Sequence, residues 1–345
     1  MNILMIGENY ENYLAKCHES WRDGFRKVFD AKSYGEGYPD YDSHDNYADV
    51  LKKTFPDVYP DWVIFYSGIT RLYSGMIKIV QKYKLPVQLT QFIRKYKLPV
   101  EGMRDIPSRK AILLCDYWYD AYSREYDFVN FIKKNKVNYI LSFFKQPIDR
   151  YNADIGRFGT DFKDIVWFPP SFNPAIFNDW HEEKKYDVGF LAAGTTTPNL
   201  RIYPERFELH TKLKNTSLKY LYAPHPGWGD FKDGHKLVGE NFSRLINSCK
   251  IFITTGGIYN TFNPKYMEIL ASKSCLFATE PYDAESTGLI DGVNYVKIDT
   301  TNAIDKIYEY LKNESEIERI AENGYKLAMD NYSCYALAER FRQIG

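Results

Sequence analysis

The chain has 345 residues, enough for two hydrophobic cores, and its 45 basic and 45 acidic side chains leave a formal net charge of zero. That balance excludes a global field that gathers nucleic acid or an anionic membrane, so any anion site has to be local. The five cysteines (Cys17, Cys115, Cys249, Cys275 and Cys334) are scattered and never form a CxxC pair, which points to reduced thiols in a cytoplasmic protein and away from a disulfide frame or a zinc site.

The start, MNILMIGENY, enters a strand-like run directly, without the basic and long apolar regions of a signal peptide. No apolar stretch approaches the ~18 residues of a spanning helix. Strand-like runs at 2–6, 61–66, 110–115, 137–143 and 165–168 alternate with amphipathic segments, the pattern of βαβ units on a parallel sheet. The clearest helical face carries Leu14, Cys17, Trp21, Phe25 and Val28. This half predicts one Rossmann-like domain over residues 1–170. Within it the hexapeptide KYKLPV begins at Lys82 and again at Lys95; one duplication is not a solenoid, and it carries no functional reading.

Residues 169–185, rich in proline, amide and charged side chains, read as a connector. The strand pattern restarts at 186–192, 218–223, 251–255 and 275–279, which predicts a second Rossmann-like domain over 171–330. From Ala303 onward the chain reads as helical. Its last segment, 331–345, is expected to be a helix that packs back toward the first domain. The expected architecture is therefore two doubly wound α/β domains facing each other across a cleft. The 30 Tyr and 22 Phe suit sugar stacking, and they suit core packing equally.

The most informative local run is IFITTGGIYNTFNPKYMEILASKSCLFAT. A buried strand ends in Gly256-Gly257, Pro264 falls where a first helical turn tolerates it, and the helix carries Lys265 and Glu268. Such a turn lets backbone N–H groups approach a phosphate at a helix N-terminus, although Gly-Gly after a strand is also an ordinary turn. A second candidate is Gly194, after Ala192-Ala193, followed by Arg201 and Arg206, whose planar guanidinium groups suit a diphosphate. A third is His225, held between prolines near Trp228 at a strand end, where it either touches a base or sugar or belongs to a rigid turn. In the first half, Asp116, Trp118 and Asp120 follow a strand, and the carboxylates serve as a general base, as sugar-hydroxyl acceptors or as helix caps. Gly7, Glu8 and Asn9 end the first strand, and Lys145 follows the fourth. No HExxH, GxSxG, P-loop or EF-hand motif occurs.

Three segments together carry a family likeness: YDVGFLAAG with Arg201 and Arg206 beyond it, then PKYMEILASKSCLFATEPYDAESTGLIDGVNYVKI, then EIERIAENGYKLAMDNYSCYALAERF. They resemble the GT-B glycosyltransferases, and within them the family 1/4-type C-terminal domain of the CgeB-like group. The resemblance covers residues 169–340 well and the first domain in architecture only. It implies an acceptor side in the first domain (Gly7, Glu8, Asn9, Trp118, Lys145) and a donor side in the second (Gly194, His225, Gly256, Gly257, Asn260, Lys265, Glu268). By position Glu268 takes the nucleotide ribose, and Arg201 with Arg206 the leaving diphosphate. Where the retaining pattern has a further Glu, this sequence has Asn260, which leaves retaining and inverting chemistry both open.

The implied activity moves a sugar from a nucleotide-diphosphate sugar, as substrate and not cofactor, to a glycan, lipid carrier, protein or modified nucleic acid. Metal is not expected to be needed, because protein cations meet the leaving group; Asp116 or Asp120 is the base if the reaction inverts. The alternatives are a nucleotide-sugar epimerase on the same scaffold and a catalytically degenerate nucleotide-binding module. A nicotinamide dehydrogenase is disfavoured, since GENYEN lacks the glycines of GxGxxG.

Overall fold

A computed structural model describes residues 1–66, 98–115, 125–195, 202–227, 231 and 234–344. Asp116, Trp118, Asp120, Arg201, Trp228 and the first KYKLPV copy lie outside the described residues. The chain divides into two compact units, one of Met1–Asn9 and Phe25–Pro169, the other of Tyr10–Gly24 and Pro170–Gly345. Tyr10–Gly24, within the range read from sequence as the first domain, groups with the C-terminal unit.

The N-terminal unit holds strands β1 (Asn2–Ile6), β2 (Asp30–Tyr34), β3 (Trp62–Tyr66), β4 (Arg109–Leu114), β5 (Tyr139–Ser142) and β6 (Asp164–Trp167). They form one parallel sheet in the order β2-β1-β3-β4-β5-β6. The inner strands are covered on both faces and read as continuous apolar runs, which is why the sequence discloses them. Strand β2, DAKSY, was not expected: it lies at the sheet edge and buries fully only Tyr34, so it carries little apolar signal. The core joins Leu4, Ile6, Val63, Phe65, Ile112, Leu114 and Ile140 to Phe128 and Ile132 of the helix Glu125–Lys134. Val100, at the end of the second KYKLPV copy, is part of it.

Beyond β1 and β2 the two loops run side by side, with Gly7 N donating to Tyr34 O at 3.0 Å and Asn9 N to Glu36 O at 2.8 Å. Gly35, at φ +150°, is required there, because a Cβ would stand 2.1 Å from Gly7 O.

The C-terminal unit holds β7 (Tyr186–Gly189), β8 (Tyr220–Leu221), β9 (Cys249–Thr254), β10 (Cys275–Ala278) and β11 (Val296–Lys297), again all parallel, in the order β11-β10-β9-β7-β8. From β7 the chain goes to β8 on one side and then crosses to β9 on the other. The loops that end β7 and β9 therefore diverge at a topological switch point, where open α/β sheets take their ligands. On one face Val188, Phe190, Ile251, Ile253 and Phe277 pack on Leu209 and Leu213 of the helix Pro204–Lys214 and on Ile307, Ile317 and Ile320. Each such burial contributes roughly 1.5–3 kcal/mol.

Three helices close the unit, Ala303–Tyr310, Glu314–Tyr332 and Cys334–Phe341. The segment before β7, expected as a connector, forms neither helix nor a run of strand but is tightly held. Cys334 N donates to Phe172 O at 2.8 Å, Trp180 Nε1 to Ser243 Oγ at 2.9 Å, and Glu182 N to Asn247 Oδ1 at 2.9 Å. No helix of the described residues is long and apolar enough to cross a membrane.

Candidate functional site

At the switch point of the C-terminal unit stands Arg206, in the first turn of the helix Pro204–Lys214 and only 6 % exposed. Its Nε donates to Thr255 Oγ1 at 3.0 Å, its Nη2 to Thr255 O at 3.1 Å, and its Nη1 to Ala193 O at 3.1 Å. The Tyr203 ring covers the guanidinium, with Cζ 3.5 Å from the ring centroid. Thr255 follows β9 and Ala193 follows β7, so one side chain ties together the two loops that diverge here. Burial lowers the Arg206 pKa, against the pull of Tyr203 and Glu205.

The Gly256-Gly257 turn is held as firmly. Gly256 N donates to Thr279 Oγ1 at 2.9 Å and Gly257 N to Glu205 Oε1 at 3.0 Å. Gly257 has φ +67°, and a Cβ there would lie 2.5 Å from Ile202 O and 2.8 Å from the Tyr203 ring. A 3₁₀ turn, Gly257–Tyr259, leads to Asn260 in the left-handed region, and Asn263 caps the helix Pro264–Ala271 by accepting from Lys265 N at 3.1 Å. The expected strand, glycine turn, Pro264 and helix are thus all present. The glycines serve close packing, and their amides point to side-chain acceptors within the protein.

Inside that helix, the Lys265 ammonium stands 3.6 Å from Glu268 Oε2 and 4.0 Å from the centroid of the Phe242 ring. Burial raises the Glu268 pKa, and Lys265 pulls it back. Burial lowers the Lys265 pKa, and Glu268 opposes that. The Cys17 thiol is pushed up by burial and by Glu268, which puts the start of the helix Cys17–Val28 beside the pair.

His225 joins the group from the loop after β8. Burial, with Lys265 and Arg206 adding to it, brings its pKa down to about 4. Its Nδ1 accepts from Gly227 N at 3.1 Å, so in the neutral ring the proton is on Nε2.

Arg206, His225, Lys265 and Glu268, chosen from separate sequence segments, are therefore brought together electrostatically. Gly194, at φ +83°, lies in the same loop as Ala193. Asn260 lines a pocket of about 610 Å³ beyond the ends of β10 and β11, with Thr279, Glu280, Asp283, Lys297 and Asp299; Arg206, Lys265 and Glu268 are not in its lining. Lys297 hydrogen-bonds to Glu280. In the N-terminal unit, Gly7 and Asn9 are paired to the β2 loop, where Asn9 Nδ2 also donates to Gly37 O at 3.4 Å. There Glu8 follows β1, and Lys145 Nζ sits 5.3 Å from the Trp167 ring centroid. Thr255, Glu205, Tyr203 and Thr279 were not singled out in the sequence. The only signal for Glu205 was an acid beside Pro204 in a first helical turn. Among the described residues no group of three or more His, Cys, Asp or Glu could hold a metal ion.

Residues 193–343 match the family model described as "Glycosyl transferase-like". The fold agrees across the chain. Sucrose-phosphate synthase from Thermosynechococcus elongatus is 10% identical, with 100% of this chain and 98% of that one covered at a TM-score of 0.56. The DNA-modifying enzyme beta-glucosyltransferase is 12% identical, with 99% of each chain covered at 0.59. HepE from Anabaena, solved in complex with UDP and glucose, is 10% identical, with 99% and 98% covered at 0.56. The chain has the GT-B fold. No curated protein matches the chain. The family match lies wholly in the C-terminal unit of this GT-B-fold chain and contains Arg206, His225, Lys265 and Glu268.

Proposed function

We propose that this chain is a glycosyltransferase that uses a UDP-sugar, bound at the switch point of its C-terminal unit, and passes the sugar to a hydroxyl-bearing acceptor. The observation that carries the reading is the pair of part-exposed Lys265 and buried Glu268, a cation and a carboxylate 3.6 Å apart beyond β9 and next to Arg206 and His225. A nucleotide sugar presents vicinal ribose hydroxyls that donate to a carboxylate and a diphosphate that attracts cations. The uridine assignment is supported by relatives of the same fold that bind UDP, among them HepE and an alpha-glucosyltransferase.

In this reading Glu268 accepts from the ribose hydroxyls. Arg201 and Lys265, beside the loops that Arg206 holds, supply positive potential where the departing diphosphate accumulates charge, so the leaving group is stabilised by preorganised protein cations without a metal. The sugar extends toward the Asn260 pocket, whose carboxylates accept from its hydroxyls. Gly7, Glu8, Asn9 and Lys145 of the N-terminal unit, with Asp116, Trp118 and Asp120, are assigned to the acceptor.

Thermal unfolding with UDP, GDP and dTDP tests the donor, because a ligand of the folded state raises the transition temperature. UDP is expected to give the largest rise, and Glu268→Ala to weaken UDP by about ten- to a hundredfold, the worth of a hydrogen bond to a charged group. Unchanged UDP binding and unchanged transfer in Glu268→Ala would defeat the assignment.

A further inference from the structure

We propose that Arg206 is a positioning residue that locks the donor loops, and that Lys265 presents the direct positive charge to the diphosphate. The inference rests on the donor reading above and divides its cationic corner into two roles.

A guanidinium grips an oxyanion through two parallel N–H groups along one edge. In Arg206 the edge formed by Nε and Nη2 is filled by Thr255, whose Oγ1 and O accept at 3.0 and 3.1 Å. Nη1 is spent on Ala193 O at 3.1 Å, and the Tyr203 ring covers one face. A phosphate taking this guanidinium side-on would have to displace both Thr255 oxygens and forfeit two hydrogen bonds to a buried charged group, although Thr255 O would keep its bond from Asn263 Nδ2 at 2.9 Å. The neighbouring residue repeats the theme, since Glu205 fixes the Gly257 amide. The first turn of the helix Pro204–Lys214 thus acts as a clasp across the loops after β7 and β9. Its contribution to donor binding is the shape of those loops.

Lys265 has the opposite character. Its side chain is 27 % exposed, against 6 % for Arg206 as a whole residue. Its ion pair to Glu268 is long at 3.6 Å. It projects from the first turn of a helix, where the backbone dipole adds to its charge.

Calorimetric titration with uridine, UMP and UDP separates the roles. Thr255→Val removes the acceptor of Arg206 Nε without touching any phosphate-facing group, and Arg206→Gln removes the clasp itself. Both are expected to weaken all three ligands by one common factor, with Thr255→Ser restoring wild-type affinity. Lys265→Met is expected to weaken UDP at least tenfold more than uridine. An Arg206→Gln loss confined to UDP, or a Thr255→Val protein with wild-type affinity for all three, overturns the clasp. An equal loss for uridine and UDP in Lys265→Met overturns the lysine role. Failure of wild-type protein to bind any of the three removes the donor reading itself, and this inference with it.

Discussion

The amide of Gly257 donates to the carboxylate of Glu205 at 3.0 Å, joining residues 52 positions apart. Together with Arg206 and Thr255, this bond makes the glycine turn after β9 a fixed part of the protein frame. The backbone donors expected to face a phosphate are instead satisfied from within.

Gly257→Ala is expected to lose stability and UDP affinity together. Alanine would sit in the left-handed region with its Cβ 2.5 Å from Ile202 O, a combination worth roughly 1–3 kcal/mol. Gly156→Ala is the control, since its Cβ would meet nothing within 4 Å, and urea unfolding should show no loss. Equal stability of the two variants would contradict the packing argument.

Gly24→Ala should invert the usual helix rule. Alanine normally favours a helix over glycine by about 1 kcal/mol. Here a Cβ would stand 2.0 Å from Cys334 O, a backbone atom that no side-chain rotation can move. A loss of more than about 3 kcal/mol, or failure to accumulate as folded protein, is the expected result. A higher transition temperature in the variant would refute it.

Stability should fall as pH drops from 6.5 toward 4. Burial and Arg206 or Arg22 hold both His225 and His18 at about 4 in the folded protein, below their ordinary 6.5. In that window the unfolded chain binds more protons than the folded one, so His18 withdraws on the order of 3 kcal/mol by its lower end, and the half-exposed His225, partly screened by solvent, withdraws less. Glu268, with its pKa raised, acts with the opposite sign and offsets part of the loss. Urea midpoints at pH 7 and 4.5 measure the slope, and His225→Gln should make it shallower.

Glu268→Gln should separate stability from function. A neutral amide of the same shape relieves the burial of the carboxylate but ends its ion pair with Lys265; since that pair is long and Lys265 part-exposed, the two effects are expected to leave the unfolding midpoint nearly unchanged. UDP affinity should nevertheless fall about tenfold, because the amide accepts with less strength than a carboxylate. A variant that lost stability but kept UDP affinity would reverse the assigned roles.

The sequence by itself determined the fold class and most strands, because inner parallel strands are apolar on both faces and cannot be written otherwise. Strand β1 is expected and found at the same residues, and the run from Gly256 to Glu268 announced its turn, its proline and its helix through local chemistry. Edge strands β2 and β11 stayed hidden, since a short, half-exposed strand needs no apolar pattern.

Only the tertiary structure decided what the site residues touch. Nothing in the order of the chain says that Arg206 meets Thr255, that Glu205 meets the Gly257 amide, or that Tyr10–Gly24 groups with the C-terminal unit. The first two contacts exist because β7 and β9 are neighbours in the sheet while the chain between them detours through β8. Strand order is a long-range pairing that local sequence pattern does not encode.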